Sequence, residues 1–206
     1  MCPAYPFTLN SAVDKLLKKE FDTYRVAGSA HPLFEKFGIN AIPFTHEEVE
    51  EWRRTPNGGA AYLHTPTNLL IKGVIDDIWL LRVDDQVVIA DYKATAKTGE
   101  VSIDAPWQAG YKRQMEIYQW IFRRNGFTVS NTAYFVYCNG KTDGTSFDAK
   151  LEFDIKLIPY EGNDSWVERA ITNAHQILLN DQPPPAEKDC DWCAYFEARV
   201  ANQTRA

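Results

Sequence analysis

The sequence predicts an α/β protein in which a mixed β-sheet is flanked by helices. Three observations carry that reading. Helical and strand periodicities both occur, they run in the order helix, strands, helix, strand, and one strand is apolar on both of its faces. With 206 residues, 45% of them hydrophobic, the chain can bury one substantial core. We expect a single domain over 1–206, with an insertion at about 26–65 and a cysteine-containing tail at about 183–206. The pattern does not suggest a doubly wound sheet.

Taking the elements in order, Val13, Leu16, Leu17 and Phe21 recur at helical spacing, which predicts a first helix over Ser11 to Tyr24 with Asn10 or Ser11 as its N-cap. The stretch after Val26 is irregular and holds two short helical pieces. Thr45 with Glu48 reads as a capping box for the second, His46 to Arg54. Strands are expected at Asn68 to Lys72, Val74 to Arg82 and Gln86 to Lys93, the last two joined by a turn at Val83, Asp84 and Asp85. A long helix follows from Pro106, which suits a first turn, to Asn125, with Gly126 placed to end it. Strand patterns return at Thr132 to Cys138 and Leu151 to Ile158. A last helix, Ser165 to Asn180, precedes the prolines at 183–185 that open the tail.

A net charge of -6 argues against a protein that simply coats DNA, because nonspecific affinity comes largely from Lys and Arg neutralising phosphates. It is compatible with carboxylates that hold divalent cations, since a bound metal reverses the local field. Basic clusters at Lys15, Lys18 and Lys19 and at Lys112, Arg113, Arg123 and Arg124 are either nucleic-acid contacts or solvated helix faces. No run of eighteen apolar residues occurs and the first residues lack a basic-then-apolar leader, so the expectation is a soluble, cytoplasmic protein without a membrane role. No phosphate-cradling Gly-rich loop is present, which argues against a built-in ATPase motor.

The chemistry is concentrated on the hairpin. Side chains alternate along a strand, so Val87, Ile89, Asp91 and Lys93 share one face and Val88, Ala90 and Tyr92 the other. A carboxylate and an ammonium at the end of a strand that is apolar on both faces are costly to bury unless paired or bound to something. Asp76 and Asp77 point to opposite faces of the preceding strand, so only one joins Asp91, and Asp77→Ala is expected to leave a folded, active protein if that one is Asp76. Two carboxylates beside a lysine are what metal-assisted phosphodiester hydrolysis requires: hard oxygen ligands for Mg²⁺ and a cation near the attacking water or the developing charge. Asp-x-Lys alone is weak, for it recurs at Asp148 and Asp154. Those two lack a neighbouring hairpin carboxylate, and Asp154 and Lys156 fall on the wet side of a strand whose apolar side is Leu151, Phe153, Ile155 and Leu157. The competing reading of Asp91 and Lys93 is a salt bridge at the edge of the core.

Gly73-Val74-Ile75-Asp76, then Asp91-Tyr92-Lys93, then Gln114 and Tyr118 on the following helix resemble the linked motifs of RecB-like nucleases in the PD-(D/E)XK superfamily, and about Asn10 to Arg199 reads like bacterial members of that group. The resemblance extends to CRISPR-associated adaptation nucleases and AddB-type nuclease domains. It implies a restriction-endonuclease-like sheet, Mg²⁺ or Mn²⁺ as cofactor, and DNA, single-stranded or at duplex ends, as substrate. By position it implies metal ligation by Asp76, Asp91 and the backbone carbonyl of Tyr92, and water activation or charge stabilisation by Lys93. Gln114 and Tyr118, four apart on one helical face, would approach the site or the DNA backbone. Tyr118 also falls in an apolar stripe with Tyr111, Met115 and Phe122, so a core role stays open. Relatives in that branch place a histidine on the first helix as a further ligand, and this helix has none. Asp14 is the candidate substitute, with Glu20 behind it. His31, His46, His64 and His175 lie elsewhere, His64 being nearest a strand of the hairpin region.

Four cysteines are too few and too unevenly spaced for a secreted disulfide scaffold. Cys190-Asp191-Trp192-Cys193 has the bite of a metal knuckle but is half a site. The similar helicase-nucleases join their two ends through a four-cysteine iron-sulfur cluster, which makes Cys2, Cys190 and Cys193 a candidate cluster or zinc set. The alternative is free thiols, and Cys138 reads as a buried one. The function expected is a metal-dependent DNA nuclease, exonucleolytic or end-processing, in repair, recombination or defence, with a helicase or recombination protein as partner. The alternatives are a non-catalytic nucleic-acid-binding or scaffold module on the same fold, and a nuclease directed at RNA.

Overall fold

A computed structural model describes residues 8–203. The chain divides into two compact units, 1–167 and 168–206. In the first, a central sheet forms from β1 (Ala41–Pro43), β4 (Asp77–Leu81), β5 (Val87–Thr95), β6 (Thr132–Gly140) and β7 (Phe153–Glu161), in the spatial order β1-β4-β5-β6-β7. The β5 and β6 strands run parallel and the other neighbours antiparallel. Two parallel neighbours cannot be joined by a tight turn, and the crossover carries the long helix α4 (Ala109–Arg124), preceded by a 3₁₀ turn at Pro106–Gln108. Asn125 caps α4, and Gly126 follows at φ 91°, a left-handed conformation that glycine adopts without strain.

The β5 strand is central because it is apolar on both faces. Val88, Ala90 and Tyr92 pack with Leu17 and Phe21 of α1 (Thr8–Ala27), Phe34 of α2 (Pro32–Lys36), Trp79, Val136 and Leu157. Phe21 is fully buried, stacked on His31 at 4.1 Å and on Trp79 at 5.7 Å. The alternate residues Ile89 and Asp91 therefore face the other way, toward α4, whose Met115, Tyr118 and Phe122 are buried. The side chains of β5 thus connect a dry hydrophobic layer on one face to a charged cluster at the far end of the other.

Several expected boundaries move. The stretch 26–65 supplies an edge strand of the central sheet, β1, which sequence reading missed because it is three residues long and ends in proline. It also supplies β2 (Ala60–His64), which pairs with β3 (Leu69–Gly73) in a separate two-stranded sheet. The helix α1 begins earlier than expected, so Asn10 and Ser11 lie inside it and cannot cap it. The Thr45–Glu48 capping box does not form at α3 (Val49–Arg53): Thr45 Oγ1 donates to the Arg25 carbonyl at 3.4 Å, and His46 Nδ1 accepts from the Glu48 amide at 3.2 Å.

The second unit contains α5 (Val167–Leu178), whose first residue closes the preceding unit, and α6 (Asp191–Gln203). The tail beyond Pro185 was not expected to be helical. No helix among the described residues is long and apolar enough to cross a membrane.

Candidate active site

Asp77 pairs with Ala90 at the start of β4, so the residue before it, Asp76, comes level with Asp91 on the α4-facing side. Asp76 Oδ2 accepts the Tyr92 amide at 2.8 Å, and its Oδ1 accepts Lys18 Nζ at 3.2 Å. Asp91 is buried and ion-paired with Lys93, and its Oδ2 has no hydrogen-bond partner beyond that ion pair. Burial, with the Asp76 carboxylate adding to it, pushes the Asp91 carboxyl up to about 6 even though Lys93 opposes the rise. Lys93 Nζ also lies 4.5 Å from the centroid of the Tyr111 ring, on its π-face. An open cleft of about 470 Å³ is lined by Asp76, Tyr92, Lys93 and Tyr111 and by Asn10, Asp14 and Leu17 of α1; Asp91 is buried and is not part of its lining.

Asp14 reaches this cleft but is not bonded to Asp76. Lys18, one turn further along α1, stands between them, 2.8 Å from Asp14 Oδ1 and 3.2 Å from Asp76 Oδ1. In the sequence Lys18 belongs to a basic cluster with Lys15 and Lys19, and its only local signal is the i, i+4 spacing from Asp14. Tyr111 was likewise read as core, whereas it borders the cleft.

Gln114 and Tyr118 come together as the helical spacing suggests, Gln114 Nε2 donating to Tyr118 Oη at 2.5 Å. Tyr118 is buried, and burial pushes its hydroxyl up to about 12, with Asp91 and Asp76 adding to the rise against the Gln114 hydrogen bond. It is therefore both a core residue and a neighbour of the acidic pair. Gly73 makes this placement possible: a Cβ there would lie 2.3 Å from Tyr118 Cε1. Three of the four histidines serve elsewhere in this unit. His31 caps α2 through Nδ1 and donates from Nε2 to Glu20 at 3.0 Å, which also engages Glu20 away from the acidic pair. His64 Nδ1 bonds Thr67 Oγ1 at 2.7 Å, and His46 stacks on Trp52 at 4.7 Å.

Asp77 points to the opposite face, as alternation requires, but it is no bystander. It is fully buried and accepts hydrogen bonds from Arg25, from the Ile78 amide at 2.9 Å, from Trp79 Nε1 at 3.1 Å and from Tyr92 Oη at 2.8 Å. Arg53 lies 3.9 Å from it and is tied to Asp22 at 2.9 and 3.0 Å. The expectation that its removal leaves a folded protein does not fit this arrangement, since Arg25 would lose its buried counter-charge.

Among the described residues no three His, Cys, Asp or Glu side chains converge on a point that could hold a metal ion. The donors at hand are two carboxylates, one of them buried, and backbone carbonyls. That set fits Mg²⁺ or Mn²⁺, hard ions for which a site of one or two carboxylates completed by water is common. Of the candidate cluster, Cys2 lies outside the described residues. Cys190 and Cys193 are free thiols beside each other at the start of α6, and hydrogen bonds from Cys193 lower the Cys190 thiol. Cys138 is buried in β6, and burial pushes its thiol up to about 11.

A mixed sheet flanked by helices, with two aspartates and a lysine at the ends of adjoining strands, defines a restriction-endonuclease-like α/β fold. The family model of the PD-(D/E)XK nuclease superfamily matches residues 8–198, and the chain belongs to that superfamily. No curated protein and no solved structure matches it. Membership implies a nuclease, hence a phosphodiesterase with nucleic acid as substrate.

Proposed function

We propose that the protein is a divalent-metal-dependent DNA nuclease of the RecB-like kind, exonucleolytic or end-processing, with Asp76, Asp91 and Lys93 as its catalytic set. The observation that carries this is a buried carboxylate, Asp91, set beside the Asp76 carboxylate and the Lys93 ammonium, both of which line an open cleft. Two carboxylates side by side, one of them buried, favour a cation between them.

Asp76, Asp91 and the Tyr92 carbonyl would hold Mg²⁺ or Mn²⁺, which when bound supplies Lewis acidity at the scissile phosphate. The chain's own residues do the rest. The Tyr92 amide fixes the Asp76 carboxylate in one orientation, so that little reorganisation is needed when phosphate arrives. Lys93, held between Asp91 and the Tyr111 ring, presents an ammonium to the cleft, where it orients the attacking water and stabilises charge on the phosphate oxygens as the P–O bond to the leaving group breaks. Gln114 and Tyr118 support this wall from α4.

The test is incubation of the purified protein with end-labelled single- and double-stranded DNA and a matching RNA, with Mg²⁺, Mn²⁺ or excess EDTA. Cleavage of DNA that stops in EDTA and is lost in Asp76→Ala, Asp91→Ala and Lys93→Ala is the expected result. Undiminished activity in EDTA overturns the mechanism, and preference for the RNA overturns the substrate.

A further inference from the structure

Beyond the catalytic cleft, across Lys93, Ala94 and Tyr111, lies a second hollow of about 210 Å³, formed by the segment between β5 and α4. Its rim carries Trp107, which is 69% exposed, and Lys97. Trp52, Trp79 and Trp120 are buried, whereas Trp107, like Trp192 in the second unit, is exposed, and of these two it is Trp107 that lines this hollow. Nor is the ring on a loose loop. Gln108, itself buried, donates to the Ser102 carbonyl at 2.8 Å and to Tyr137 Oη at 3.0 Å and accepts the Ala105 amide at 3.0 Å. The backbone of Lys97 is clamped on both sides by Asn139, at 2.8 and 2.9 Å. The Trp107 and Tyr111 rings meet nearly at right angles with centroids 5.6 Å apart, and the Lys93 ammonium lies 4.5 Å from the Tyr111 centroid. Two lysines, Lys93 and Lys97, and two aromatic rings, Tyr111 and the exposed Trp107, therefore line one hollow.

We infer that this hollow is a nucleobase subsite: the base of a nucleotide adjoining the scissile phosphate leaves its stack and lies against Trp107, with Lys97 beside the next phosphate. The inference rests on the nuclease reading proposed above and adds to it a preference for strands whose bases are unpaired. A flat apolar ring with cations on either side matches a base between two phosphates, and stacking of this kind tolerates any base because each has a π-face. A paired base inside a duplex cannot reach the ring.

The experiment measures binding without cleavage, by fluorescence anisotropy of a labelled oligothymidine in EDTA, against the same oligonucleotide with an abasic tract. Wild type, Trp107→Ala, Trp107→Phe and Lys97→Ala are compared, with thermal melts to verify folding. Trp107→Ala should weaken oligothymidine binding about tenfold and Trp107→Phe much less. The abasic tract should bind wild type about as weakly as oligothymidine binds Trp107→Ala, with no further loss when both changes are combined. Lys97→Ala should weaken both oligonucleotides and flatten the salt dependence. Unchanged oligothymidine affinity in Trp107→Ala overturns the subsite, as does an equal loss for the abasic tract, which would mean a backbone contact. Wild-type cleavage is assayed separately with Mg²⁺ and Mn²⁺. Its absence would remove the nuclease reading while leaving the base contact measurable.

Discussion

Tyr92 holds both members of the Asp76–Asp77 pair at once. Its backbone amide donates to Asp76 at 2.8 Å on one side of the sheet, and its hydroxyl donates to Asp77 at 2.8 Å on the other. Adjacent carboxylates are thereby given different work, one at the cleft and one in the core.

Replacement of Asp77 should unfold the protein more readily than any change at the cleft. Asp77→Ala leaves Arg25, the Trp79 indole and the Tyr92 hydroxyl without their buried acceptor, and breaking such a pair costs roughly 3–5 kcal/mol. Urea unfolding should show that loss, against a small change for Asp76→Ala. Equal stability of the two variants would contradict the role given to Asp77.

Asp91→Asn should abolish most cleavage, by on the order of a hundredfold or more, yet stabilise the metal-free protein at neutral pH. The folded carboxyl is raised to about 6 from an ordinary value of 3.8. Between these values the unfolded chain ionises first, so the destabilisation is absent below about pH 4, develops up to pH 6 and is complete above it. The gain from Asn is therefore present at pH 7.5 and vanishes by about pH 4. Paired melts of the two proteins across that range measure it, and a gain independent of pH would show that Asp91 does not titrate as described.

Lys18→Met should tighten divalent-ion binding. The ammonium that now bridges Asp14 and Asp76 competes with any cation for those oxygens. Its removal should improve affinity severalfold, the scale of a partly exposed ion pair of about 1 kcal/mol. Calorimetric titration with Mn²⁺ reads this directly, and weaker binding would mean that Lys18 organises the site instead of opposing the metal.

Gly73→Ala should disable the α4 side of the site without touching a charged residue. The added methyl meets the Tyr118 ring, and relieving such overpacking typically costs about 1–3 kcal/mol and moves the ring from Gln114. Lower cleavage than in Lys156→Ala, an exposed ion pair with Glu100 on the far strand, is the expected contrast. Wild-type rates in Gly73→Ala would show that the position of Tyr118 is immaterial.

The acidic hairpin was legible because strand alternation is strict: once Val87 to Thr95 is a strand, Asp91 and Lys93 must share a face and Asp76 and Asp77 must part. What escaped were contacts made by residues distant in sequence. Nothing local in Lys18 says that it will stand against Asp76, and nothing in Arg25 or Arg53 says that they will close over Asp77. The two short strands were missed for another reason. Ala41–Pro43 has no alternation to read, and Ala60–His64 contains no β-branched residue, so each is held as a strand by its partner and not by its own composition.

Cys138 gives the molecule an internal clock for the opening of its sheet. The thiol is buried on β6, between β5 and β7, and its raised ionisation leaves almost no thiolate at neutral pH. Cys190 and Cys193 are more accessible and react first. Slow alkylation located at Cys138 by peptide mapping then counts each separation of β6 from its neighbours, and with it each loss of the parallel pairing in which Asp91 and Lys93 lie.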